Sequence, residues 1–429
     1  MRWHINNLII SLLFIVININ TKTNAQENLN EALALAGNNK KELLRVLEYY
    51  KNDSLKLKSA IFLIENMNGL FTYNNEIKEI CQPFYEEYDS IAKADNYDIR
   101  LIGGKIEERW DEFNNKNFLI FQLPDMPDLE NIKAKQLITE IDLAFKAWKE
   151  NVYTQNCSFE DFCEYILPYR RTNGIVIDNA RQMFYERHHG AYFTKAGKDM
   201  IEEADSLLHK YSNIKFSKLY GADIPILDAT TLEKLCFATC DIRCWFNSLL
   251  FSSLGMAAAI DFIPAWGNKN NAHVWNVIIR DGESYALDPF WVPDRWEYKK
   301  MYTNETFDLT WGRSRLPKVF RNTYKNYFEG PGIDKRVSKE DVPDLFMNFR
   351  KKDVSGEYFK TVDVTVKLKD IPEKTYYAYL CVFNNGEWKP VQWGKIENGR
   401  VTFNGMGEDI IYMACYYTSV PLKLGRFKN

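Results

Sequence analysis

One dipeptide, Asp281-Gly282, constrains this chain more than any other. It joins two stretches rich in β-branched and aromatic residues, Ala272 to Ile279 and Ser284 to Asp288. Asp-Gly accepts the left-handed backbone that a two-residue hairpin turn requires, so the flanks read as paired antiparallel strands. The tight turn also sets the register. Trp275 falls opposite Asp288, and His273 lies two residues along on the same face. His273 and Asp288 are then diagonal neighbours, within reach of a side-chain hydrogen bond. A slip of one residue would send Asp288 to the other face.

The segment before this hairpin, Ala238 to Leu254, has the pattern of a buried helix. Ile242, Trp245, Phe246, Leu249, Leu250 and Leu254 supply its apolar face, and Gly255 is placed to end it in a left-handed cap. Thr239 is an acceptable N-cap and Asp241 is an acid in the first turn. Cys240 therefore falls at the helix start, where unpaired N–H groups favour an anion and lower a thiol pKa. Cys244, one turn further in, reads as a small core residue.

A thiol (Cys240), an imidazole (His273) and a carboxylate (Asp288) thus arrive in the order of a nucleophilic cysteine site. Each has a bland reading: a core cysteine, a satisfied strand histidine, a turn aspartate before Pro289. Their joint order and geometry favour catalysis. The carboxylate would hold the imidazole in one tautomer and stabilise its charged form, and the imidazole would hold Cys240 as a thiolate. A rival is metal binding by Cys236, Cys240 and Cys244. Their C-x3-C-x3-C spacing departs by one residue from the C-x3-C-x2-C loop of iron–sulfur proteins that cleave S-adenosylmethionine, and no fourth ligand is evident. His188-His189 is the other candidate metal pair, but neighbours point in different directions and no further ligand stands at the right spacing, so a surface or supporting role is expected.

The motifs resemble the core of the transglutaminase-like superfamily. The resemblance rests on Cys240, the leucine-rich helix ending Leu254-Gly255, His273-Val274-Trp275-Asn276, and Asp288-Pro289. Cys240 stands fifteen positions before Gly255, the spacing of nucleophile and helix end in that family. Met256-Ala257 departs from the family's Ile-Pro, and Ala238 stands where many members have glycine. The specific motifs cover about residues 236 to 291. The flanks, including the segments from Phe159 to Arg170 and from Lys351 to Phe359, resemble those of secreted bacterial members. The resemblance implies a papain-like α+β core with a Cys-His-Asp triad. Cys240 would attack a carboxamide carbonyl, His273 would carry the proton to the leaving amine, and Asp288 would orient His273. The thioester acyl-enzyme would be released by water or an amine. The family includes amide cross-linkers, peptidases and peptide N-glycanases, so hydrolysis and transfer both stay open. The Cys240 N–H is the expected oxyanion donor, with Trp266 and Asn276 nearby in sequence but unplaced. No metal or organic cofactor is expected.

Around this core the expected class is α+β. Residues 1–25 read as a secretory signal: Arg2, an apolar run from Leu8 to Val16, and Thr23-Asn24-Ala25 before Gln26. An uncleaved anchor is the alternative. Residues 26–215 form a mainly helical region, 216–330 the catalytic core, 331–355 a polar linker, and 356–429 a small antiparallel β domain, expected as a sandwich. In that last part Val362, Val364, Val366 and Leu368 alternate with polar residues, and Asn398-Gly399 is a hairpin signal. The formal charge of −3 over 429 residues offers no basic field, so nucleic acid is set aside as a partner. No membrane span is expected after signal cleavage. The eight cysteines permit disulfides in an exported chain, with Cys381 and Cys415 the favoured pair. The whole reading is an exported (periplasmic, cell-surface or extracellular) cysteine hydrolase or acyltransferase acting on protein or peptide amides, the substrate glycosylated or not. The other reading is a non-catalytic secreted protein that binds glycan or protein and keeps the core as scaffold.

Overall fold

The computed structural model describes residues 27–74, 76–96, 98–117, 125–216, 224–290, 296 and 314–417. The expected signal segment and the residues after Tyr417 lie outside them. The protein is a mixed α+β structure of helices and several small antiparallel sheets. Among the described residues no helix is long and apolar enough to cross a membrane. The chain divides into two compact units, each built from discontinuous segments.

The first unit takes the chain up to Ala147, with Leu167–Arg187 and Leu219–Leu235. It is mainly helical: α1 Lys40–Tyr49, α2 Ser54–Glu65, α3 Glu76–Ala94, α4 Ile99–Lys116 and α5 Ala134–Glu150. Asp53 caps α2 by accepting the Lys56 N–H at 3.1 Å, which satisfies one orphan donor of the first turn. Leu63, Phe84, Trp110, Leu137 and Ile141 fill the interior. Ile132 is extended (ψ 134°) and separates the short helix Asp128–Asn131 from α5. Arg170 sits fully inside with the Asp128 carboxylate, its Nη2 2.8 Å from Oδ1. Burial of both ions is tolerated because the fork also reaches the Ile175 carbonyl at 2.7 Å.

The second unit holds Trp148–Ile166, His188–Lys218 and the chain from Cys236. Its helix α6, Cys240–Ser253, is followed by β1 Ala258–Ile263, β2 His273–Arg280, β3 Glu283–Leu287, β4 Phe320–Asn322 and β5 Lys351–Asp353. These strands form one antiparallel sheet in the order β3-β2-β1-β4-β5. Asn276 pairs with Leu287 and Arg280 with Glu283, the register that the Asp281-Gly282 tip predicts; both tip residues have positive φ, 52° and 80°. On one face of the sheet Trp275, Val277, Ala286, Val319 and Tyr358 make an apolar cluster. A buried polar chain runs through it. Arg321 on β4 grips its cross-strand partner Asp261 on β1 with two bonds of 2.8 and 2.9 Å. Tyr358 donates to Asp261 at 2.7 Å and accepts from Trp275 Nε1 at 2.8 Å.

The remaining strands are β6 Val362–Lys367, β7 Tyr377–Asn384, β8 Glu387–Lys395, β9 Arg400–Met406 and β10 Tyr412–Cys415. β6 pairs with β9, and β8-β7-β10 form a second sheet; both are antiparallel and share a core of Leu380, Val382, Val391, Val401 and Phe403. The β7–β8 and β8–β9 tips, Asn385-Gly386 and Asn398-Gly399, again have positive φ at both residues. Cys381 and Cys415 lie on neighbouring strands with their thiols in hydrogen-bonding contact, as free thiols rather than a disulfide.

Residues 331–355 are not a linker: they carry the helix Asp344–Met347 and the edge strand β5, and they bury Val342, Phe346 and Val354. Lys351-Lys352-Asp353 reads as loop because it is charged, yet charge on an edge strand is how a sheet edge resists further pairing. The helix Met200–His209 starts where the Asp199 carboxylate accepts the Ile201 and Glu202 N–H groups.

Because Asp261 is solvent-free and carries three hydrogen bonds, Asp261→Leu is expected to leave Arg321 with Glu357 as its remaining carboxylate and to cost about 3 kcal/mol. Denaturant unfolding of the two proteins measures it.

Candidate functional site

The site begins at the uncapped start of α6. Thr239 occupies the N-cap position in an extended conformation, but its side chain makes no cap hydrogen bond. The N–H groups of Val274, Asp241 and Cys240 itself instead act on the Cys240 sulfur. Val274 belongs to β2, so the thiol meets that strand one residue from His273. β3 has ended at Leu287, before it could reach Val274 in the register.

What locks α6 against β2 is a buried carboxamide pair. Asn247 donates to Asn276 Oδ1 at 2.9 Å and to the Pro289 carbonyl at 2.9 Å. Asn276 donates to the Cys244 carbonyl at 2.9 Å, and Arg243 Nε reaches the Pro289 carbonyl at 3.1 Å. Both asparagines have no solvent contact. The helix, the strand and the turn after Asp288 are thus tied by groups that have no other way to satisfy their polarity. Asn276 therefore fixes the frame of the site. Asn247 was not singled out from sequence, although an amide seven residues after Cys240, on an otherwise apolar helix face, is the signal that could have found it.

The electrostatics differ from expectation. Burial, followed by the Asp241 carboxylate, raises the Cys240 thiol above its ordinary value, against the pull of the three N–H groups. The helix start lowers the thiol pKa as predicted, but desolvation and a neighbouring anion outweigh it. Cys244 is wholly buried and raised further, which suits a core residue. Cys236 does not share a helix face with the other two. It precedes the short strand Phe237–Ala238 with φ 59°, and the Asn213 amide lies 3.1 Å from its sulfur. Among the described residues no group of three His, Cys, Asp or Glu side chains could hold a metal. His188 is buried with its Nε2 2.7 Å from the Tyr211 hydroxyl.

His273 opens β2 opposite Ile263. Its ring stacks on Trp266 at 6.1 Å and tilts against Trp275 at 6.1 Å. Lys269 Nζ lies 4.0 Å above the Trp266 ring. Burial and the Lys269 ammonium pull His273 down to about 4, so the imidazole is neutral at pH 7 rather than charged as expected. Asp288 leaves the ladder because the following residue is Pro289. Its Oδ1 accepts the Phe290 N–H at 2.8 Å, and its charge acts on the Cys244 thiol.

The loop before His273 is held from the β7–β8 hairpin. Asn384, almost fully buried, donates to the carbonyls of Trp266, Lys269 and Asn271 at 3.3, 2.9 and 3.1 Å and accepts the Asn271 N–H at 3.0 Å. Asn385 N–H reaches Asn270 Oδ1 at 3.0 Å. Local chemistry marks these asparagines only as hairpin-tip residues; their second task depends on a loop more than a hundred residues away.

No protein-family model, no curated protein and no solved structure matches this chain.

Two outcomes follow for His273. Lys269→Met is expected to raise its pKa, seen as a shift of its imidazole NMR titration towards neutral pH. With a folded pKa near 4 and an ordinary value of 6.5, the neutral ring contributes stability above pH 6.5 that is lost as pH falls towards 4. A His273→Phe variant should lose that part of the acid sensitivity in thermal melts. Asn384→Ala should cost about 1–3 kcal/mol by leaving loop carbonyls without a donor, read from denaturant unfolding.

Proposed function

We propose that the protein is an exported transglutaminase-like cysteine enzyme that opens protein or peptide amides through a thioester on Cys240. The α+β core is read as papain-like, with α6 carrying the nucleophile and β2 the base. The observation that carries the reading is the meeting of the Cys240 sulfur, at an uncapped helix start, with the N–H of the residue after His273.

The chemistry starts from an uncharged pair. Cys240 holds its proton and the His273 imidazole is neutral. As the sulfur attacks the carbonyl carbon of a bound amide, the S–H proton passes to His273. The oxyanion forms beside the N–H groups at the α6 start. Collapse breaks the C–N bond, and the imidazolium returns the proton to the departing amine. Water or a second amine then adds to the thioester, His273 takes its proton, and the sulfur leaves with it. Asp288 has the role of orienting carboxylate. A neutral base with a low pKa keeps the enzyme active into acid and delays thiolate formation until substrate displaces water, which limits oxidation of an exported thiol.

The raised thiol favours a second reading, a secreted binding protein that keeps this core as scaffold. A peptide-amide electrophile separates them when adducts are located by peptide mass mapping, since Cys157 and Cys236 are also partly accessible. The enzyme reading expects an adduct on Cys240, its loss in Cys240→Ala without change in melting temperature, and labelling at pH 7 slowed about 100-fold in His273→Gln. Absence of adduct on Cys240 in the folded wild-type chain would favour the scaffold instead.

A further inference from the structure

A cavity of about 690 Å³ lies away from Cys240, between the β4–β5 edge of the core sheet and the strands β8 and β9. That volume is in the range of a small-ligand site. Its walls carry Trp393, Tyr327 and Phe349, and its rim carries Asn398, Thr402 and Asn404. We propose that this cavity is a binding site for neutral oligosaccharide, which stacks a sugar face on Trp393 and hydrogen-bonds to the amide and hydroxyl rim. The inference is independent of the Cys240 reading and places a second site on the same unit.

Three features point to this ligand class. The first is a fixed platform. The backbone at Gly330 lies flat on Trp393: a Cβ there would come within 2.8 Å of the indole, and φ is 78°, so only glycine fits. Tyr377 holds the indole edge-on at 5.8 Å. An aromatic immobilised in this way offers stacking area without further ordering cost. The second is an open floor. Gly394 lines the cavity, and a Cβ on it would meet Val401 at 2.5 Å and the Thr402 carbonyl at 2.6 Å. The missing side chain lets β8 and β9 approach and leaves the platform's neighbour bare. The third is charge balance. The lining sets Lys351, Lys395 and Arg400 against Glu329, Asp353 and Glu397, three charges of each sign. The walls therefore present no net field to select an ionic ligand. Apolar faces, a ring of hydroxyl and amide groups and no charge demand describe an uncharged sugar better than a lipid, a nucleotide or an acidic peptide.

The test is retention of the full chain on an immobilised panel of neutral and acidic oligosaccharides of two to six units, followed by titration of the best neutral binder against tryptophan fluorescence. The expected result is saturable binding of at least one neutral oligosaccharide, weakened tenfold or more by Trp393→Ala and also weakened by Asn404→Ala, whose side chain is exposed on β9. Cys240→Ala should bind as the wild type does. If Trp393→Ala fails to fold, the exposed pair Tyr327→Ala and Asn404→Ala decides in its place. Retention of no neutral oligosaccharide, retention of acidic ones alone, or affinity unchanged by the cavity variants would overturn the proposal.

Discussion

Two carboxamides, Asn247 on α6 and Asn276 on β2, face each other with no access to water. An amide in such a place must find partners inside the protein or cost several kcal/mol. Here Asn276 finds Asn247 and the Cys244 carbonyl, while Asn247 also takes the Pro289 carbonyl. Apolar packing alone would let the helix slide or rotate on the sheet, because contacts between side chains of similar size are interchangeable. Directional bonds remove that freedom. They set where α6 begins relative to the start of β2, and so where the Cys240 sulfur meets the strand that carries His273.

The consequence is that Cys240 and His273 both rest uncharged. Two influences compete at the sulfur: N–H groups that favour a thiolate, and burial with Asp241 that favours a thiol. The second wins. At the imidazole, burial and Lys269 act in the same direction and keep the ring neutral. In the proposed reaction a bound carbonyl would draw the proton from sulfur to imidazole.

The C-terminal strands contribute more than an appendage would. The β7–β8 hairpin inserts Asn384 into the loop that precedes His273, and Ala265 at the base of that loop belongs to the same apolar core as Leu380 and Val401. The segment between core and β strands adds β5 to the core sheet. The C-terminal strands therefore fold as part of the same unit as the site.

Much of this was legible in the residues themselves. Asp281-Gly282, Asn385-Gly386 and Asn398-Gly399 each demand left-handed backbone at two successive positions, so local sterics alone fixed three hairpins and the register between β2 and β3. The same holds for the Asp53 cap of α2 and for Cys240 as the first residue of α6. These depend on atoms within a few residues of one another. The interaction partners of the site depend on residues far apart. Asn384 meets a loop 113 to 118 positions away, Lys351-Lys352-Asp353 becomes a strand only because β4 offers it an edge, and burial, followed by the Asp241 charge, outweighs the N–H groups at Cys240. Chain-local geometry was determined by the sequence itself. Solvent exclusion was decided by the tertiary structure, and with it the protonation of Cys240 and His273, because desolvation belongs to the whole packed surroundings of a group.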